Sequence, residues 1–64
     1  MQKEIEGEGR DVVIIELAAH SQNIVLGVYN IVDGASAAWL SNQQAEEVIK
    51  ALQKAIKENA DDGN

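Results

Sequence analysis

The sequence predicts an α+β chain: an antiparallel β-hairpin or three-stranded meander followed by one C-terminal amphipathic helix, assembled as an oligomer. Three observations predict it. Two β-branched runs, residues 11–19 and 24–32, flank a polar break. An Asp33-Gly34 dipeptide follows the second run. Ser41 then opens a stretch whose apolar residues recur at three-and-four spacing.

In the first run, Val12, Val13, Ile14, Ile15 and Leu17 favour a strand over a helix of this length. Because side chains alternate along a strand, Val13, Ile15 and Leu17 share one face. Val12, Ile14 and Ala18 share the other, interrupted by Glu16. His20, Ser21, Gln22 and Asn23 suit a turn. The second run repeats the pattern, with Ile24, Leu26, Val28 and Val32 on one face, interrupted by Asn30, and Val25, Tyr29 and Ile31 on the other beside Gly27. Asp33-Gly34 is the dipeptide that a two-residue type I′ turn prefers, since Gly tolerates positive φ. A short third strand through Ala35 to Leu40 follows, and its small residues would let a backbone or ligand approach closely.

Ser41 and Gln44 form a capping-box pattern, with Leu40 placed to staple onto Ala45. Ala45, Val48, Ile49, Leu52, Ala55 and Ile56 then make one apolar stripe, so a helix is expected over residues 42–58, supported by a Glu46–Lys50 pair. Residues 11–58 thus read as a single ββ(β)α domain. Residues 1–10, charged at almost every other position and holding two glycines, read as a mobile arm or an edge strand. Residues 59–64 read as a polar, disordered tail.

Size sharpens the expectation. A folded chain of 64 residues buries only about 60% of the surface its unfolded form exposes. With no Cys and one His, neither disulfides nor a zinc knuckle is available to compensate, and assembly is the remedy left. One helix covers one sheet face, yet both strands are apolar on both faces. Burying the second face against another copy would remove about 400–600 Å², worth roughly 10–15 kcal/mol before ordering and association costs. The interface expected for this is Val12, Ile14, Ala18, Val25, Tyr29 and Ile31, with self-association as a homodimer or higher oligomer. The absence of Cys, of an apolar leader and of any apolar run approaching ~20 residues points to a cytoplasmic chain that does not enter a membrane.

The net charge is −6, and no Lys or Arg lies between Arg10 and Lys50, which disfavours direct nucleic-acid binding by the sheet. Catalysis finds no support. His20 is the one available base beside Ser21, and adjacent turn residues seldom face each other. Glu4, Glu6 and Glu8 alternate and could gather a hard cation, but a solvated acidic arm is the simpler account. No metal site and no cofactor is expected. Lys50, Lys54 and Lys57 form a basic stripe that suits the wet face of the helix. The aromatics Tyr29 and Trp39, with Arg10 and Asn30 as polar neighbours, are the candidate ligand-binding residues, in case they meet at a subunit junction.

Trp39-Leu40-Ser41, Gln44-Ala45, Val48 and Ala51-Leu52 after the Asp33-Gly34 hairpin resemble the closing segment of short uncharacterised bacterial and phage strand-strand-helix proteins, over residues 24–57. That resemblance carries no catalytic residues. It implies an accessory protein of phage type that inhibits a host protein or sequesters a ligand. The functional expectation is therefore a small non-enzymatic homo-oligomeric binding module, blocking a host protein or holding a small, anionic, nucleotide-like ligand at a subunit junction. Its alternatives are an acidic nucleic-acid mimic that inhibits a DNA- or RNA-binding protein, and a structural assembly subunit.

Overall fold

A computed structural model describes residues 1–62. Four strands, β1 (Gln2–Glu6), β2 (Val12–Leu17), β3 (Ile24–Asn30) and β4 (Gly34–Leu40), precede one helix, α1 (Asn42–Asp62). The strands form a single antiparallel meander in the order β1-β2-β3-β4. The α+β class is as expected, with one strand more than the meander read from the sequence. Residues 2–6 take the edge-strand alternative. Ile5 pairs with Val13 and Lys3 with Ile15, while Glu4 and Glu6 stand opposite Ile14 and Val12. Alternating charge suits an edge strand, because it discourages pairing with a further strand.

Register fixes the two faces, since directly opposed residues of an antiparallel pair project to the same side. The pairs Val13–Val28, Ile15–Leu26 and Leu17–Ile24 continue into Ile24–Leu40 and Leu26–Ala38. The first face is therefore apolar across β2, β3 and much of β4, with Ile5 extending it onto β1. The second face joins Val12 to Tyr29, Ile14 to Gly27 and Glu16 to Val25, and then Val25 to Trp39, Gly27 to Ala37 and Tyr29 to Ala35. Both faces divide as the alternation predicts.

The β3–β4 connection differs from a two-residue hairpin. Asn30 pairs with Gly34, and residues 31–33 form the turn. The Asn30 side chain explains the early end of β3. Its Oδ1 accepts the Val32 amide at 2.8 Å, and its Nδ2 donates to Asp11 Oδ1. Gly34 then takes a positive φ of 86°, the left-handed residue that closes a three-residue hairpin loop. Ile31 and Val32, read as strand residues, are instead 61% and 82% exposed in the turn. The β1–β2 turn uses Gly9 at φ 63°, with Gly7 N donating to the Asp11 carbonyl at 2.8 Å. In the β2–β3 turn Ser21 Oγ accepts the Asn23 amide at 3.3 Å.

The capping box at Ser41 and Gln44 is present, and α1 runs to Asp62, taking in residues 59–62 that were read as tail. Gly63 and Asn64 lie outside the described residues. The expected Glu46–Lys50 pair does not form. The one ion pair among the described residues is Lys54–Glu58, exposed and 4.0 Å apart.

The largest departure concerns packing. The helix was expected to cover one sheet face, and it covers neither. Among the described side chains of α1 only Ala45 and Val48 are half-buried, and they lie in its first two turns, just after half-buried Leu40 at the end of β4. The stripe continues past them with Ile49, Leu52 and Ile56 at 53%, 58% and 69% exposure. A helix of 21 residues is about 31 Å long, and the chain extends 44 Å along its longest axis, so α1 projects beyond the sheet. No described residue is fully buried.

Candidate functional site

Both sheet faces are candidate binding surfaces, and they differ in chemistry. On the first, Val13, Ile15, Ile24 and Leu26 are half-buried and Leu17 and Val28 exposed. Apart from Lys3 on the edge strand, the polar strand residues of this face are Ser36 and Asn30, and Asn30 is already committed to the β3–β4 turn. It offers hydrophobic area and almost no hydrogen-bonding capacity.

The second face grades from acidic to aromatic. Gln2, Glu4 and Glu6 line it on β1, Val12, Ile14 and Glu16 on β2, Val25, Gly27 and Tyr29 on β3, and Ala35, Ala37 and Trp39 on β4. A shallow groove of about 310 Å³ crosses it, bordered by Ile14, Glu16, Val25 and Tyr29 over a floor of Gly27, Ala35 and Ala37. Its shape follows from side-chain size, because three small residues lie between larger ones. A Cβ at Gly27 would sit 3.7 Å from the Ser36 carbonyl oxygen and 3.8 Å from Ile14, so the floor would accept a methyl group in ordinary van der Waals contact. Glu16 is half-buried, and no strand position of this face carries Lys or Arg.

The four residues expected to bind a ligand are not brought together. Tyr29 borders the groove. Trp39 shares the face but pairs with Val25, four residues along β3 from Tyr29, roughly 13 Å away along the strand. Asn30 projects to the opposite face, and both ends of its amide are engaged. Arg10 lies exposed in the β1–β2 turn. Of the expected interface residues, Val12, Ile14, Val25 and Tyr29 do share the second face, whereas Ala18 follows β2 and Ile31 lies in the β3–β4 turn. The small residues of β4, expected to allow close approach, do form part of the groove floor, and what the sequence missed is Glu16 in its wall and Gly27 beside those residues. Gly27 opposite Ala37 became visible only once the β3–β4 register was known.

Ser21 and His20 occupy the exposed β2–β3 turn, where the Ser21 hydroxyl accepts the Asn23 amide. Among the described residues no three His, Asp or Glu side chains converge, so Glu4, Glu6 and Glu8 do not form a cluster. Nor is any described helix long and apolar enough to cross a membrane. No protein-family model matches the chain, and neither a curated protein nor a solved structure matches it significantly.

Proposed function

We propose that the chain is a subunit of a non-enzymatic homo-oligomeric binding module, its core completed by a second copy and its acidic, aromatic sheet face presented to a partner. The observation that carries this reading is the surface left open. The chain exposes 5518 Å², whereas a compact monomer of 6.9 kDa exposes roughly 4,000 Å². Its radius of gyration is 13.6 Å, against about 11 Å for a compact chain of this length. With no described residue fully buried and large apolar side chains such as Leu17, Val28, Trp39, Leu52 and Ile56 exposed, the surface is out of keeping with a stable monomer, and the chain has no disulfide framework to hold it without a core.

The partner's chemistry follows from the second face. Glu4, Glu6 and Glu16 stand beside Ile14, Val25, Tyr29 and Trp39, with no cation among the strand positions there. A phosphate-bearing ligand finds no counter-charge on those strands. A basic protein surface with apolar side chains finds both kinds of contact, which favours the acidic-inhibitor form of the binding module over sequestration of a nucleotide-like molecule. Native mass spectrometry of material taken directly from cells tests the reading. A homo-oligomer free of nucleotide, binding a basic protein with an affinity that falls steeply with salt, supports it. A monomer, or an oligomer carrying a stoichiometric nucleotide, counts against it.

A further inference from the structure

Resting on that reading, we infer that two copies associate by reciprocal docking of α1: the Val48, Ile49, Leu52 and Ile56 stripe of each chain lies across the first sheet face of the other. The direction of the helix is the first ground. Ala45 and Val48 begin the stripe at the edge of the chain's own sheet. Ile49, Leu52 and Ile56 carry the same stripe outward, where each is more than half exposed. A stripe that starts on one sheet and ends in solvent is half of a contact.

Length is the second ground. Four strands about 4.8 Å apart span roughly 14 Å, and the projecting part of a helix about 31 Å long is enough to cross them. Chemistry is the third. The first face presents Val13, Ile15, Leu17, Ile24, Leu26 and Val28, while the second places carboxylates beside its apolar residues. An aliphatic stripe therefore favours the first. With the stripe turned toward that sheet, Lys50, Lys54 and Lys57 stay on the wet side of the helix. Area is the fourth. The excess exposed surface is roughly 1,500 Å² per chain, and a stable interface buries about 800 Å² on each partner, so two helix-on-sheet contacts related by a two-fold axis would account for it.

Because residues 1–64 contain no cysteine, the test can be made on this whole chain with single-cysteine variants. Leu26→Cys and Leu52→Cys chains are mixed, unfolded, refolded together and treated with a short bis-maleimide cross-linker. Reciprocal docking predicts a covalent 26–52 dimer, lost when Trp39→Cys, on the opposite face, replaces Leu26→Cys. An oligomer that cross-links through position 39 and not 26 overturns the inference while leaving the proposed assembly intact. So does a Leu26→Cys/Leu52→Cys double variant that cross-links only within single chains of an oligomer. A folded chain that sediments only as a monomer overturns the assembly itself. A second variant guards against failure to fold: Leu52→Asp should retain its sheet signature in circular dichroism while losing the oligomer, and an unchanged oligomer would contradict the inference.

Discussion

Ser41 and Gln44 hold each other by two hydrogen bonds, Ser41 N to Gln44 Oε1 at 2.9 Å and Gln44 N to Ser41 Oγ at 3.2 Å. Ser41 is also the only residue between β4 and α1, so this pair sets the angle at which the helix leaves the sheet. Asn23 adds a brace nearby, its Nδ2 donating to the Leu40 carbonyl at 3.4 Å. The helix is thus started and aimed by the same few atoms.

Replacing Ser41 with Ala removes an N-cap oxygen, which typically costs about 1 kcal/mol. Under the proposed reciprocal docking, the effect should reach beyond helix stability. Urea denaturation followed at 222 nm should show a lower midpoint at unchanged slope, and the oligomer should dissociate at a higher protein concentration than the wild type.

Gly27 and Gly34 should respond to alanine with opposite signs. At Gly27 the backbone is ordinary strand and a methyl group meets its nearest neighbours at 3.7–3.8 Å, so Gly27→Ala should stabilise by roughly 0.5–1 kcal/mol. At Gly34 the space is open but φ is 86°, so Gly34→Ala should destabilise by about 1–2 kcal/mol. Thermal melts of the two variants at equal protein concentration check the contrast. Gly27→Ala also raises the floor of the second-face groove, and a partner bound there should bind more weakly.

Asn30→Ala should cost about 1 kcal/mol, because it releases both the Val32 amide and the Asp11 side chain in a solvent-accessible turn. Amide hydrogen exchange is the suitable readout. Protection should fall at Val32 and across the β3–β4 hairpin, with α1 unaffected. Uniform loss along the chain would mean that Asn30 acts on global stability and not on this turn.

Much of this fold was legible in the sequence, and the failures have identifiable causes. Alternation assigned Val13, Ile15 and Leu17 to one face and Val12, Ile14 and Glu16 to the other, because a strand's period of two leaves no choice once its residues are known. The capping box was legible because Ser41 and Gln44 interact three residues apart. The β3–β4 turn differs from the expected one because Asn30 accepts the Val32 amide and also reaches Asp11, nineteen residues away, and no local pattern reports the second contact. Polarity alone suggested an end at residue 58, although residues 42–62 hold neither Gly nor Pro to interrupt the helix. Placement of the helix was the deeper miss. An amphipathic stripe says that a partner surface is needed and is silent on whether that surface belongs to the same chain. The candidate site was legible in its aromatics and in the small residues of β4, whereas the groove that Tyr29 borders depends on cross-strand register.

The measurement that bears most directly on the central claim is sedimentation equilibrium across a wide range of protein concentration, with far-ultraviolet circular dichroism on the same samples. The account predicts a species of at least twice 6.9 kDa wherever strand and helix signals are present, and loss of those signals as dissociation proceeds. A 6.9 kDa species that keeps its full strand and helix signals at the lowest concentration would contradict it.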